Sequence, residues 1–175
     1  MGVLEVQRFS ALLSLLALSG AVLFVLLRVL GLRSGTARAL GAALEPLGLW
    51  LAFAVAATAT LGSLYFSEVA NFTPCRLCWF QRIAMFPLAV TLLVAAVRRD
   101  RGVRGYVVPQ ALLGLCVSVY HYVIEWFPQL EKTSCEVTAP CTAVWFREFG
   151  FVSLAFMAGS GFLAVLALLL VRFER

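Results

Sequence analysis

The sequence predicts an all-α membrane protein, a four-helix transmembrane bundle with one extra N-terminal transmembrane helix. Three observations carry that expectation. The 175 residues are 62% apolar and only 13% charged, with a mean hydropathy of +0.96. Ordinary soluble domains are roughly half apolar and about a quarter charged, and a chain this short leaves too much surface exposed to hide the excess. Second, five apolar runs are long enough to cross hydrocarbon as helices, and none shows the alternation of barrel strands. Third, thirteen of the fourteen bases are Arg and sit in short clusters between those runs. Topological anchors are arranged in that way. A nucleic-acid footprint would instead gather bases with polar or aromatic readers on one face. The chain reads as a single integral membrane domain over 1–175.

The first run covers 9–27. Its apolar length exceeds the roughly 7–15 residues of a signal peptide and its leading segment is nearly neutral, so it reads as a true span. Being Leu-rich, it is expected to face lipid. The second, 47–66, carries Ala54, Thr58 and Gly62, a small-residue stripe expected to permit close helix packing. The third, 83–97, is short, with Trp79 and Phe80 extending it toward one interface and Pro87 expected to bend it. The fourth, 107–124, contains Cys116, expected to be a small packing residue, and His121, the only histidine, with Glu125 one turn on. The fifth, 151–171, holds Gly159 and Gly161, which allow close approach. Trp126, Phe127 and Trp145 read as interfacial belt residues. No repeat or low-complexity segment is evident.

Orientation follows from the connections. Arg28, Arg33 and Arg38, then Arg98, Arg99, Arg101 and Arg104, with Arg172 and Arg175, lie on one side. Arg8, Arg76, Lys132 and Arg147 lie on the other, so nine bases face four. The richer side is cytoplasmic by the positive-inside rule. The C-terminus is then cytoplasmic and the N-terminus outside.

Cys75, Cys78, Cys135 and Cys141 all fall in the two loops assigned to the outer side, where disulfides persist. Several chemistries fit two such pairs. Structural zinc usually wants two to four residues between the cysteines of each half-site, and the second pair has five. Covalent haem wants His directly after the second cysteine, and position 79 is Trp. Inert staples remain open, although a Cys-x-x-Cys ring is too small to remove much chain entropy. A redox pair is favoured by local sequence. Thr73 reads as an N-cap and Pro74 as the first helical residue, which puts Cys75 in a first turn where amides and the helix dipole stabilise a thiolate. Cys75, Cys78 and Arg82 share one helical stripe descending into the membrane. A guanidinium inside a span is a functional candidate by default, against its plainer reading as a snorkelling anchor.

Pro-Cys-x-x-Cys-x-x-x-Arg at the head of a span, followed two spans later by an outer-loop cysteine pair, resembles the bacterial disulfide bond formation protein B family. The run Cys141-Thr-Ala-Val-Trp145-Phe-Arg-Glu-Phe149-Gly150 is similar to its short-loop branch. The cysteine order separates the chain from vitamin K epoxide reductase relatives, in which Cys-x-x-Cys follows the loop pair. The resemblance covers about 47–171 and implies a redox four-helix core there, with the extra span and cytoplasmic loop in 1–46 inheriting nothing. It implies oxidation of an extracytoplasmic thioredoxin-fold thiol:disulfide oxidase, with electrons passed to a quinone (ubiquinone or menaquinone) in the cytoplasmic (inner) membrane. Carried over, Cys75 and Cys78 are the quinone-coupled pair, Cys78 contacts the ring, Arg82 supports the charge and His121 lies near the quinone. Cys135 and Cys141 become the shuttle pair that meets the partner. Trp145 is placed over the quinone mouth, and Glu125 could orient or protonate His121. No metal and no nucleic acid is implied.

Two other classes compete. A non-catalytic membrane scaffold would use both disulfides to stiffen its outer loops. A transporter of reducing equivalents would need reactive cysteines within its spans, where only Cys116 stands.

Overall fold

The computed structural model describes residues 2–31, 35–36, 39, 43, 47–100, 102–131 and 139–170. Five helices organise them: α1 (Val3–Gly31), α2 (Gly48–Leu64), α3 (Arg76–Arg98), α4 (Arg104–Trp126) and α5 (Leu154–Leu170). A π turn, Tyr65–Val69, prolongs α2. With it, α1 to α4 are each long and apolar enough to cross a bilayer, and α5 is a shorter apolar helix of 17 described residues. Among the described residues there is no strand, only an isolated bridge between Glu148 and Val152. The chain is therefore an all-α, multi-pass membrane protein.

The helices alternate in direction. One end gathers the N-terminus and both cysteine-bearing loops, as the approach of Arg8 Nε to Glu148 Oε2 at 3.9 Å records. The other end holds the tight turn between α3 and α4. Arg99 adopts φ +54° there, so the Asp100 amide reaches back to the Ala95 carbonyl at 2.9 Å. This closes the helix in the Schellman manner, an unusual task for a residue other than Gly or Asn. The Asp100 carboxylate then accepts from the Gly102 amide at 2.7 Å.

Helix α3 begins well before the expected span at 83. Gln81 and Arg82 lower the hydropathy of that segment, but each finds an internal partner. Gln81 Nε2 donates to Ser118 Oγ on α4 at 3.1 Å, and Arg82 turns to Ser63 on α2. Pro87 has no amide to donate to the Ile83 carbonyl, and in the same turn Gln110 Nε2 of α4 donates to the Ala84 carbonyl at 2.9 Å.

The core of α2 to α5 joins Ala52, Ala56, Met85, Leu88, Leu92, Val107, Ala111, Phe162, Val165 and Leu169. Phe162 is fully buried, and its ring occupies the space that a Cβ at Gly114 would need. A Cβ added at Gly161 would stand 3.3 Å from Met85 Cε, and one at Gly159 would stand 3.5 Å from Ser118 Cβ. Both glycines of α5 therefore permit the close approach expected of them.

Three expectations are corrected. Helix α1 is more than a lipid-facing addition. Its exposed Leu12, Leu16, Leu23 and Leu26 do face outward, but Gln7, Ala11, Ser14, Ala21 and Phe24 form a buried stripe and the helix packs on α5. Ala54, Thr58 and Gly62 do not seat a neighbouring helix. They border a cavity, and a Cβ on Gly62 would meet nothing within 4 Å. Cys116 is a free thiol on the outer surface of α4 rather than a packing residue.

Gly114→Ala should destabilise the bundle by about 1–3 kcal/mol through overpacking against Phe162. Thermal unfolding in detergent should show the loss, and Phe162→Leu in the same chain should restore much of it. An unchanged unfolding temperature in Gly114→Ala would mean that Phe162 is free to move.

Candidate functional site

The site lies where the irregular backbone of two loops meets the outer ends of α2, α3 and α4. The π turn carries Phe66 inward, and Asn71 (φ +57°) swings the chain so that the Phe72 amide donates to the Phe66 carbonyl at 2.8 Å. The rings of Phe66 and Phe72 stack, and Trp145 of the second loop stacks on Phe72 with centroids 4.7 Å apart and planes 6° from parallel. Phe146 packs against Phe66 and Phe72. This aromatic stack ties the two loops together. The second loop is also folded upon itself by paired bonds between Glu148 and Val152, with Phe149 and Gly150 both at positive φ in the turn between them.

Helix α3 starts differently from the sequence expectation. The N-cap is Cys75 itself, with φ −72° and ψ 172°, and not Thr73. Its sulfur accepts from the Cys78 amide at 3.3 Å, doing with sulfur what a Ser or Asp oxygen usually does. The two sulfurs lie 3.0 Å apart as free thiols. Position 75 therefore takes the full influence of the unsatisfied first-turn amides.

His121 of α4 faces this sulfur, with Nε2 3.7 Å from Cys75 Sγ. The same nitrogen lies 3.1 Å from the Cys141 carbonyl. A carbonyl only accepts, so the proton sits on Nε2, and the imidazole bridges the helix cysteine and the loop cysteine. Glu125 Oε1 stands 3.9 Å from this nitrogen; Glu125 Oε2 and His121 Nδ1 are buried without a hydrogen-bond partner. Arg147 donates to the Glu125 carbonyl at 2.7 Å and lies 4.1 Å above the Trp126 ring, which fixes the end of α4 against the second loop.

Cys75 and Cys141 are both buried and share one cluster with Leu77 and Ile124. Cys141 is disulfide-bonded. Cys135 lies outside the described residues. The Cys78 thiol donating to the Cys75 sulfur, with help from His121 and the Cys78 amide, outweighs burial and lowers the Cys75 pKa from 9.0 to about 4.

Cys78 and Arg82 open in another direction. They border a cavity of about 450 Å³ that runs between α2, α3, α5 and α1 under Phe72 and Trp145. Arg82 is buried, with Nε donating to Ser63 Oγ at 3.0 Å and Nη2 to the Ser63 carbonyl at 2.9 Å. Its guanidinium also lies 5.3 Å from the Trp79 ring centroid and 5.8 Å from that of Phe86. His121 and Glu125 border a separate, smaller cavity with Cys75, Cys78, Pro140 and Trp145. The structure thus gathers Cys75, Cys78, His121 and Cys141 at one junction and sets Cys78 and Arg82 on the large apolar space. It does not bring His121 to that space.

Several contributors were not singled out from sequence. Ser63 carries no motif, and only the packing of α2 on α3 reveals it. Gln81 and Ser118 had a signal, since two polar residues inside neighbouring spans are candidates to pair. Ligating atoms of Cys75, Cys78 and His121 all lie within 4.8 Å of one another, a set that could supply three ligands to a zinc-sized ion.

Comparison with known proteins gives the family. The family described as disulfide bond formation protein DsbB matches residues 46–172. A probable disulfide formation protein C 1 of Bacillus anthracis is 42% identical over 118 residues, covering 67% of this chain and 85% of its own. Disulfide bond formation protein C of Bacillus subtilis is 39% identical over 119 residues, covering 67% and 86%. A probable disulfide formation protein C of Halalkalibacterium halodurans is 41% identical over 129 residues, covering 72% and 92%. No solved structure matches the chain. With its Pro-Cys-x-x-Cys helix start joined through His121 to a loop cysteine, and with the family match spanning α2 to α5, the chain belongs to the disulfide bond formation protein B family.

Proposed function

We propose that the protein is a protein-dithiol:quinone oxidoreductase that reoxidises an extracytoplasmic thioredoxin-fold dithiol oxidase and thereby sustains disulfide formation. One observation carries the proposal: Cys75 and Cys141 meet around His121 while Cys78, next to Cys75, opens onto an apolar cavity. That is a junction between an aqueous exchange partner and a membrane-soluble acceptor. The chain would lie in the cytoplasmic membrane with its cysteine loops outside and its arginine-rich turns in the cytoplasm, as the positive-inside rule directs.

The residues around Cys78 fit a quinone. The cavity walls are largely apolar, matching a hydrocarbon tail, and Arg82 and Gln81 stand at the same end as the sulfur. Cys78 and Arg82 would hold the ring there, and a bound quinone supplies a two-electron acceptor. His121 would serve the cysteine junction, from which it donates toward both Cys75 and Cys141, rather than contact the ring directly.

The thiol chemistry proceeds by exchange. A partner thiolate attacks Cys135 and releases Cys141 as a thiolate, leaving a partner–Cys135 disulfide. The second partner thiolate resolves it, so the partner leaves oxidised and Cys135 and Cys141 are a dithiol. Cys141 then attacks Cys75 of the Cys75–Cys78 disulfide and releases the Cys78 thiolate. Cys135 attacks the Cys141–Cys75 bond and releases Cys75. A low pKa makes a good leaving group, which is what Cys75 is at about 4. The product state has the loop pair oxidised and the helix pair holding two electrons.

The decisive test is thiol counting on purified protein reduced with dithiothreitol, with and without quinone, under anaerobic conditions. Quinone-dependent loss of two to four free thiols supports the reading; no change leaves a scaffold with stapled loops. Arg82→Gln should slow quinone-dependent oxidation of the helix pair by about ten- to a hundred-fold, the worth of a charge-assisted hydrogen bond. The bundle should stay folded by circular dichroism, and unchanged quinone kinetics would remove Arg82 from the mechanism. Mixed with the oxidised partner, Cys141→Ala should form a mixed disulfide through Cys135, whose thiolate attacks the partner disulfide and releases the partner's other sulfur as a thiol, whereas an adduct on Cys75 would reverse the assignment of the pairs.

The thiolate gives a pH signature as well. In the reduced protein the absorbance at 240 nm should rise with a midpoint near pH 4, and Cys75→Ser should abolish that step. A folded-state pKa below the unfolded one adds stability that is complete above pH 9 and lost as pH falls through 4. Only the reduced form should show this dependence. A midpoint near 9 would mean that Cys75 is an ordinary thiol.

A further inference from the structure

The large cavity has one wall that the family match does not include. The match begins at residue 46, yet Ser10, Leu13, Ser14 and Ala17 of α1 border the same space as Cys78 and Arg82. Their spacing of three and four residues puts them on one helical face. Across the space stand Ala54, Thr58 and Gly62 of α2, again one turn apart. Small residues on both sides would ordinarily let two helices close upon each other. Here they do not close: α1 packs on α5, and a Cβ on Gly62 would reach nothing within 4 Å. The result is a slot kept open by small side chains on both walls, interspersed with Leu13 and Leu16 of α1 and Leu51 and Val55 of α2.

The slot runs deep. Its α2 wall extends from Phe66 at the redox end to Leu51, about 22 Å of helix at 1.5 Å per residue. A ring held at Cys78 and Arg82 needs only the upper end of such a space. The remainder is largely apolar and continuous with that end, as a long hydrocarbon chain attached to the ring requires. Without α1 this length would be a groove open to the acyl chains of the bilayer, and any lipid could compete for it.

We propose that α1 is a specificity element of the quinone site, forming with α2 the slot that holds the isoprenoid tail. The assignment rests on the quinone reading above and adds to it a role for the helix outside the family core. Ser10, Ser14 and Ala17 are specificity-determining through their small size: they leave room for the tail on one side while Gln7, Ala11 and Phe24 hold α1 to the bundle.

The test uses the full chain in nanodiscs and two quinones, one bearing a long isoprenoid tail and one with the ring alone. A long-tailed quinone with a photoreactive diazirine partway along the tail should label peptides containing residues 10–17 of α1 together with α2, as read by mass spectrometry. Ala17→Phe and, separately, Ala17→Leu fill the slot from the α1 side, about two turns below the end where Arg8 meets Glu148. Each should raise KM for the long-tailed quinone, by about tenfold for Phe, and reduce its photolabelling, while leaving kcat/KM for the ring-only quinone unchanged. Labelling absent from α1, or equal losses with both quinones, would overturn the role of α1 while leaving quinone chemistry at Cys78 standing. Failure of either quinone to oxidise the unsubstituted helix pair would overturn both readings together.

Discussion

Hydrocarbon offers no partner to a peptide amide or carbonyl, and the architecture follows from that constraint. Irregular backbone is confined to the two ends of the bundle, and chemistry that needs flexible, water-accessible sulfur must sit at one of them. The described loops obey this. The π turn, the Asn71 bend and the 148–152 turn all lie at one end, where each departure from regular helix is closed by a backbone bond or an aromatic contact. Three polar groups within the bundle are answered from a neighbouring helix: Gln81 by Ser118, Arg82 by Ser63, the Ala84 carbonyl by Gln110. Cys75 stands at the boundary between the two regimes, the last residue of loop and the cap of α3.

Much of this was legible in the sequence because membrane helices announce themselves by length and composition. The five runs and the placement of Cys75, Cys78 and Cys141 with the N-terminus at one end needed only hydropathy and charge. Boundaries were less legible for a physical reason. A window average penalises Gln81 and Arg82, whereas the bundle accommodates them by pairing, so α3 extends to Arg76. Thr-Pro before Cys75 has the residue types of a usual helix start, and nothing in one dimension says that a sulfur will take the capping role. The stripe Ala54, Thr58 and Gly62 permits either a tight interface or a gap. Which of them forms is decided by where α1 docks, a tertiary fact.

The site divides in the same way. Cys75, Cys78, Arg82 and His121 were visible as reactive residue types at telling positions, and the stripe from Cys78 to Arg82 does face one cavity. The side on which His121 would lie could not be read from its position in the fourth span. A rotation of α4 by one residue would carry it elsewhere, and only packing fixes that angle. Ser63 and Phe72 were silent because their contribution is to other side chains: one anchors a guanidinium, the other supports the loop bearing Trp145.

The sulfur cap on α3 ties folding to electron count. A cysteine that accepts an amide hydrogen bond as a thiolate is a weaker acceptor once its electrons are shared with another sulfur. The first turn of α3 is therefore held more firmly when the pair is reduced than when it is oxidised. By reciprocity, whatever the cap lends to the helix it lends equally to the reduced state. A cap is worth about 1 kcal/mol, which for a two-electron couple corresponds to about 20 mV. Oxidation of the pair would thus loosen one turn of helix and reduction retighten it, and the cap would make the pair a somewhat stronger oxidant than an uncapped one.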